Sequence, residues 1–403
     1  MGNSKTIKLF IVVASPLTEN ILDRIGYREF TEVFDVWVVD CLHWLRNDAK
    51  AVEYQPGIAD RVCSVSTQAE FEKLCDIHRP SYFIDFTGSG SYTVTLKQIA
   101  ARKKVSYITH NITPLPTPPV LAGLKNRGLL DTMKRLPSYI FRRLFSRKIR
   151  PDVALVAGDN GLNRWTSDAR EIVWTASPDY FTFKKVAEDP RRVSKLAELG
   201  LQENGYVVFI DDCLVRSFDF VLVGAGQIFD ETEYRVRLDR CFSQIEEALG
   251  LPVIVAAHPN GKEFSDYGQI FSGRSVFFGK TALLASGALH ALTHFSCAVS
   301  FAVQFRKPVL FLGIREIDRT FQGASQKYMA GVLGRPILNI SNPSAQKFKP
   351  SDSMLASIED VKYADYIRRY VTNTDPKGTN SFDSLINYII GANSRDSGPA
   401  STK

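Results

Sequence analysis

Residues 251–263 read LPVIVAAHPNGKE, and residues 275–313 read SVFFGKTALLASGALHALTHFSCAVSFAVQFRKPVLFLG. Three apolar runs stand out here: Val253–Ala257, Ala291–Phe295 and Pro308–Leu312. Each has the length of a buried strand, each ends in polar or glycine-containing residues, and helical patterns lie between them. This alternation predicts a doubly wound parallel sheet, in which ligands bind beyond the carboxyl ends of the strands. His258-Pro259 follows the first run, and Thr293-His294-Phe295-Ser296 closes the second ahead of the helical stretch CAVSFAVQF. An imidazole can donate to a phosphate, and a serine at a helix start presents a hydroxyl beside free N–H groups. Both therefore point to a phosphate-containing ligand.

The same grammar extends through the chain. Strands are predicted at Ile7–Ala14, Asp35–Asp40, Ser81–Phe86, Val105–Thr109, Asp152–Ala157, Glu171–Thr175 and Tyr206–Ile210. Helices are predicted at 17–27, at Thr67–Ile77 with Thr67 and Glu70 as a capping box, at Tyr234–Leu249, at Ala364–Val371 and at Asn380–Ile390. With 403 residues, two domains are expected. The boundaries read as 1–185 for a first Rossmann-like domain, 186–375 for a second, 376–391 for a terminal helix and 392–403 for a disordered tail.

Composition narrows the function classes. A hydrophobic content of 44 % fills two cores, and a formal net charge of +7 suits an anionic ligand or membrane surface without indicating nucleic acid. The six cysteines are scattered with no CxxC spacing, which reads as buried thiols in a reducing compartment, neither a disulfide frame nor a metal site. No run approaches the ~20 apolar residues of a membrane span. The expected location is the cytoplasm. Within 124–150, Arg142, Arg143, Arg147 and Lys148 alternate with Ile140, Phe141, Leu144 and Phe145, a basic face with aromatic anchors suited to an anionic bilayer or a lipid-linked acceptor.

Carboxylates supply the candidate bases. Asp211-Asp212 follows a buried strand, and neighbours in an extended chain point to opposite sides, so the two cannot share one task. A buried carboxylate with a raised pKa can take a proton from an acceptor hydroxyl. Asp85, before Thr87-Gly88-Ser89-Gly90, holds the equivalent place in the first half and is a rival. Gly279-Lys280-Thr281 imitates a nucleoside-triphosphatase loop, but Arg274 stands where its first glycine is required, so Thr281 reads as a helix cap. Gly224-Ala225-Gly226 lacks the third glycine of a dinucleotide fingerprint, and no metal-ligand set appears.

The ordered set of an acidic pair, a histidine–proline pair, a GKT-type helix start and a serine before an alanine-rich helix resembles the carboxyl half of bacterial surface-carbohydrate glycosyltransferases. It is most similar to the transferases of CMP-activated sialic, nonulosonic and Kdo-type sugars. SPDYFTF, at 177–183, resembles a DYD-type segment of that group, with Phe181 in place of the second acidic residue. The resemblance covers residues 205–315. It implies a GT-B fold in the α/β class, two Rossmann-like domains facing across a cleft, and an inverting enzyme that adds an acidic sugar to a surface glycan without a metal or other cofactor. It places His258 and Ser296 on CMP and makes Asp211 or Asp212 the base. The full donor-binding set is then His258, Pro259, Asn260, Lys262, Lys280, Thr281, His294 and Ser296. Cys213 departs from the pattern, which has glycine after the acidic pair. The expected partners are a nucleotide sugar, a glycan or lipid-linked acceptor, and an anionic inner-membrane face. Three alternatives stand beside this: a donor carrying UDP or another nucleoside diphosphate, a non-catalytic glycan- or lipid-binding scaffold, and a nucleotide-sugar epimerase.

Overall fold

The computed structural model describes residues 7–15, 17–45, 59–88, 92–118, 150–163, 166–216, 230–318, 320–341 and 357–396. The basic stretch with Arg142, Arg143, Arg147 and Lys148 lies outside them, as do Ser89–Ser91 and Gly224–Gly226. Described residues within Met1–Pro114, Met133–Pro178 and Thr372–Lys403 form one compact unit, and those within Leu115–Thr132 and Asp179–Val371 form another. The partition falls at Pro178, ahead of the sequence-based boundary at 185. The chain from Thr372 belongs to the first unit instead of trailing the second.

The first unit holds a parallel sheet of seven strands: β1 (Lys8–Val13), β2 (Asp35–Asp40), β3 (Val62–Ser64), β4 (Tyr82–Asp85), β5 (Ser106–Asn111), β6 (Val153–Ala157) and β7 (Glu171–Thr175). Their order is β3-β2-β1-β4-β5-β6-β7. The second unit holds six parallel strands: β8 (Val207–Ile210), β9 (Val253–Ala257), β10 (Val276–Phe278), β11 (His290–Thr293), β12 (Val309–Gly313) and β13 (Ile337–Asn339), in the order β10-β9-β8-β11-β12-β13. Both are Rossmann-like α/β sheets, and together they make the two-domain GT-B class of fold.

The apolar runs follow from burial on both faces. In β8, Val207 and Phe209 pack with the helix Glu231–Leu249, while Val208 and Ile210 pack with the helices Thr281–Gly287, Val299–Gln304 and Phe321–Leu333. A fully buried side chain such as Phe209 contributes about 1.5–3 kcal/mol through area removed from water. Local chemistry sets the helix ends. Thr67 accepts from the N–H of Glu70 at 3.2 Å, and Glu70 reaches back to the N–H of Ser66 at 2.7 Å. The Glu231–Leu249 helix is opened by the carboxylate of Asp230 and closed by Gly250 at φ 64°.

Several elements depart from the sequence reading. The helix expected over 17–27 is two, Glu19–Arg24 and Tyr27–Val33, broken at Gly26. That glycine has φ 69°, and a Cβ there would lie 2.4 Å from the Phe382 ring. The last helix runs Asp383–Asp396, beyond the expected end at 391. The helix ending at Val371 starts at Asp360 and finishes in a π-turn, Ile367–Val371. Cys297 is exposed where a buried thiol was expected, and none of the six cysteines forms a disulfide. Among the described residues, no helix is long and apolar enough to cross a membrane.

Candidate functional site

Strand order picks out a candidate site within the second unit. From β8 the chain moves outward through β9 to β10, then returns to the other side of β8 as β11. The gap between β8 and β11 is therefore a topological switch point, where the connections diverge and leave a crevice at the carboxyl ends. Ile210 pairs with Ala256 on one side and with Thr293 on the other. Neighbouring strands lie about 4.8 Å apart. Asp211-Asp212, His258 and the turn 294–296 are thus brought to adjacent strand ends.

The acidic pair divides its work as alternation requires. Asp211 is buried, and its carboxylate accepts from Cys213 N–H at 3.0 Å, His258 N–H at 3.0 Å and Tyr267 O–H at 2.6 Å. It fixes the path of the chain after β8 and β9 and leaves little capacity for a substrate. Asp212 turns the other way. Its Oδ2 accepts from Phe295 N–H at 3.0 Å, and its Oδ1 is buried with no hydrogen-bond partner. The residue as a whole is partly accessible, but Oδ1 is covered. Burial, then the neighbouring Asp211 charge, push its pKa up to about 7, against a weaker opposing pull from Phe295 N–H and His258. Cys213, which replaces the expected glycine, sits at φ 52°, the left-handed region that glycine enters freely.

His258 opens the short 3-10 turn Pro259–Glu263, with proline at its first position. Its Nδ1 accepts from Asn260 N–H at 3.2 Å, so the neutral ring carries its proton on Nε2 and can donate it. Pro259, Asn260 and Lys262 are exposed around it. Gly261 is buried against Tyr267, and an added Cβ would stand 2.5 Å from that ring. Gly261→Ala is expected to displace Tyr267 from Asp211 and cost about 1–3 kcal/mol in chemical unfolding.

Ser296 is 5 % exposed, and its Oγ accepts from Ala298 N–H at 3.3 Å, leaving its own proton to give. It does not cap the helix. Ala298 is the N-cap of the six-residue helix Val299–Gln304, and Ser296 lies in the turn before it. Thr281 is likewise not a cap. Lys280 takes that position without a side-chain bond, and Thr281 is the first helical residue. Lys280 is exposed.

Two members of the sequence-predicted set have other tasks. His294 is wholly buried, its Nδ1 2.6 Å from the Leu312 carbonyl and its Nε2 3.0 Å from the Tyr234 hydroxyl. Both nitrogens are engaged and burial lowers its pKa to about 4, so it is a neutral core histidine with nothing left for a donor. Asp85, at the end of β4, accepts from Thr87 N–H at 2.8 Å, Thr87 O–H at 2.6 Å and Tyr107 O–H. It anchors the first unit's loop, and its oxygens are as fully engaged as those of Asp211. Tyr267 was not found by sequence reasoning, because a tyrosine inside an irregular segment carries no spacing signal.

No protein-family model matches the chain, and a search of curated proteins returns no match. Solved structures do resemble it. An H548A form of the wall teichoic acid polymerase TagF superposes with a TM-score of 0.54 at 12% identity, covering 99% of this chain and 91% of that one. The H444N form gives 0.53 at 13% identity, over 98% and 90%. A putative UDP-N-acetylglucosamine 2-epimerase from Listeria monocytogenes gives 0.48 at 12% identity, over 98% and 97%. At these identities the likeness shows the fold.

Proposed function

We propose that the protein is an inverting glycosyltransferase that takes its sugar from a nucleotide-activated donor, with a CMP-linked acidic sugar as that donor and a surface glycan as acceptor. The observation that carries this is Asp212: a buried carboxyl with an unbonded oxygen, titrating near neutrality, at the switch point beside His258 and Ser296. In its ionised form Asp212 takes the proton of an acceptor hydroxyl as that oxygen bonds to the anomeric carbon. The bond from that carbon to the phosphate oxygen breaks, and the electron pair leaves with the nucleotide. His258 Nε2–H and the Ser296 hydroxyl donate to the phosphate as its charge grows, which lowers the barrier more than it tightens ground-state binding. The likeness to a wall teichoic acid polymerase supports an enzyme of surface-polymer synthesis.

The second reading, a nucleoside-diphosphate donor, is favoured by one feature. Lys262 and Lys280 are both exposed and form no ion pair with a described residue, which leaves charge for a second phosphate. Nucleotide release from a panel of CMP- and UDP-sugars with glycan acceptors decides between them. Turnover of UDP-sugars alone would overturn the CMP assignment. Turnover of a nucleotide sugar without any acceptor would indicate an epimerase. His258→Ala is expected to weaken donor binding by about tenfold, the size of one hydrogen bond to a charged group. A scaffold without catalysis would show no turnover and keep its glycan or lipid binding after this change. Binding to anionic vesicles, and its loss on neutralising Arg142, Arg143, Arg147 and Lys148, tests the peripheral-membrane reading.

A further inference from the structure

Tyr267 carries the hydrophobic core of the second unit up to the ends of β8 and β9. It begins the short 3-10 turn Tyr267–Phe271 and is 3 % exposed. Its ring centre lies 5.6 Å from that of Phe271, 6.2 Å from that of Phe278 on β10 and 6.3 Å from that of Phe264. Gly261 lies against the same ring with no room for a side chain. Asp266, the residue before Tyr267, pairs with Arg216 at 2.6 Å. Arg216 also pairs at 2.7 Å with Glu231, the first residue of the Glu231–Leu249 helix. Close packing of this kind holds a ring in one orientation. The Tyr267 hydroxyl is therefore a fixed point tied to the core.

That hydroxyl donates to Asp211 Oδ2, the oxygen that also accepts from His258 N–H. The other oxygen, Oδ1, accepts from Cys213 N–H. One carboxylate thus spans two turns, the one that carries His258 after β9 and the one that carries Asp212 after β8. Without the hydroxyl it would still join the turns to each other, but the tie from that carboxylate to the aromatic core would be gone. The Cys213 thiol lies against the same hydroxyl, a contact that glycine could not make in its place. We infer that Tyr267 is a positioning residue for sugar transfer: acting through Asp211, its hydroxyl fixes the base Asp212 and the phosphate donor His258 relative to each other. The inference rests on the transfer reading above. Asp212 and His258 serve two ends of one event, the first taking a proton from the acceptor as the second donates to the departing phosphate. Their separation therefore matters most in the transition state, and an interaction realised only there raises kcat without changing KM.

Tyr267→Phe keeps the ring and removes the hydroxyl alone. The full chain is tested by steady-state kinetics with the nucleotide sugar that the unchanged protein turns over, and by amide hydrogen exchange. A reacting group misplaced by about 1 Å can cost about 10²-fold, so a loosened pair is expected to lose about tenfold or more in kcat, with donor KM changed by less than about threefold. Exchange at the His258 and Cys213 amides should quicken while the amides of β8 and β9 stay protected. Faster exchange throughout both strands would make the role structural and overturn the inference. A loss confined to KM, or a folded variant with kcat within about twofold of the original, also overturns it. Gly261→Ala, whose methyl group would displace the ring, carries the same test should the first variant not fold. An unchanged protein that turns over no nucleotide sugar overturns the transfer reading and this role together, whereas transfer that does not need the hydroxyl removes the role alone.

Discussion

Asp212→Asn is expected to reduce sugar transfer by about 10²–10⁴-fold, the range of a lost general base, with donor affinity nearly unchanged. The amide keeps the shape and can still accept from Phe295 N–H, but it cannot take a proton. In the unchanged protein the rate should fall as pH drops below about 7, because the base must be ionised and its pKa lies there. Stability should move the opposite way. The folded chain holds a proton on Asp212 up to about 7, while an unfolded aspartate releases its proton near 4. The folded state therefore binds more protons between those values, and stability declines as pH rises from about 4 through about 7. Asparagine removes that cost. About three pKa units correspond to about 4 kcal/mol, and the amide of asparagine, a donor placed where Oδ1 has no partner, offsets part of it. At pH 8 the variant should therefore be more stable by about 1–2 kcal/mol, with little change at pH 4. Transfer assays and thermal melts at both pH values check this. A variant that loses activity and stability together at pH 8 would mean that Asp212 is structural.

Much of this arrangement is legible in the chain because both sheets are parallel and covered on both faces. Such strands read as continuous apolar runs, and Asp35–Asp40, Glu171–Thr175 and Val253–Ala257 were found to the residue. The three strands that escaped notice are β3, β10 and β13, each three residues long and only partly buried. At the outer positions of a sheet no long apolar run is needed, so none is there to see. The ordering of Asp211-Asp212, His258 and Ser296 on adjacent strand ends was legible from the same alternation. What each side chain does there was not. His294 and Ser296 look alike in a string, yet register sends one ring into the core between Leu312 and Tyr234 and leaves the other side chain in a turn with its proton free. Nor could the string say which aspartate bonds Tyr267, because that contact joins residues 56 positions apart.

Asp211→Ala is the counterpart experiment, and its effect should be on stability first. Removing this carboxylate leaves Tyr267 O–H, His258 N–H and Cys213 N–H without their acceptor. Two of these groups lie in buried residues, where water cannot replace the lost bonds fully. Cys213 also loses the bond that holds it at φ 52°, a conformation unfavourable for a residue with a Cβ. Together these predict a loss of about 3–5 kcal/mol in chemical unfolding. Asp211→Asn should cost less, about 1–2 kcal/mol, because its carbonyl oxygen keeps part of the set while its amide opposes one donor. Donor binding should weaken in both variants, since the backbone N–H of His258 is what Asp211 grips, and the ring moves with it. The two neighbours thus answer in opposite directions at pH 8: the loss of the Asp212 charge stabilises and silences, and the loss of Asp211 loosens the fold around the histidine. An Asp211→Ala protein within about 1 kcal/mol of the original would show that the network is not what holds the strand ends together, and would return Asp211 to the list of possible bases.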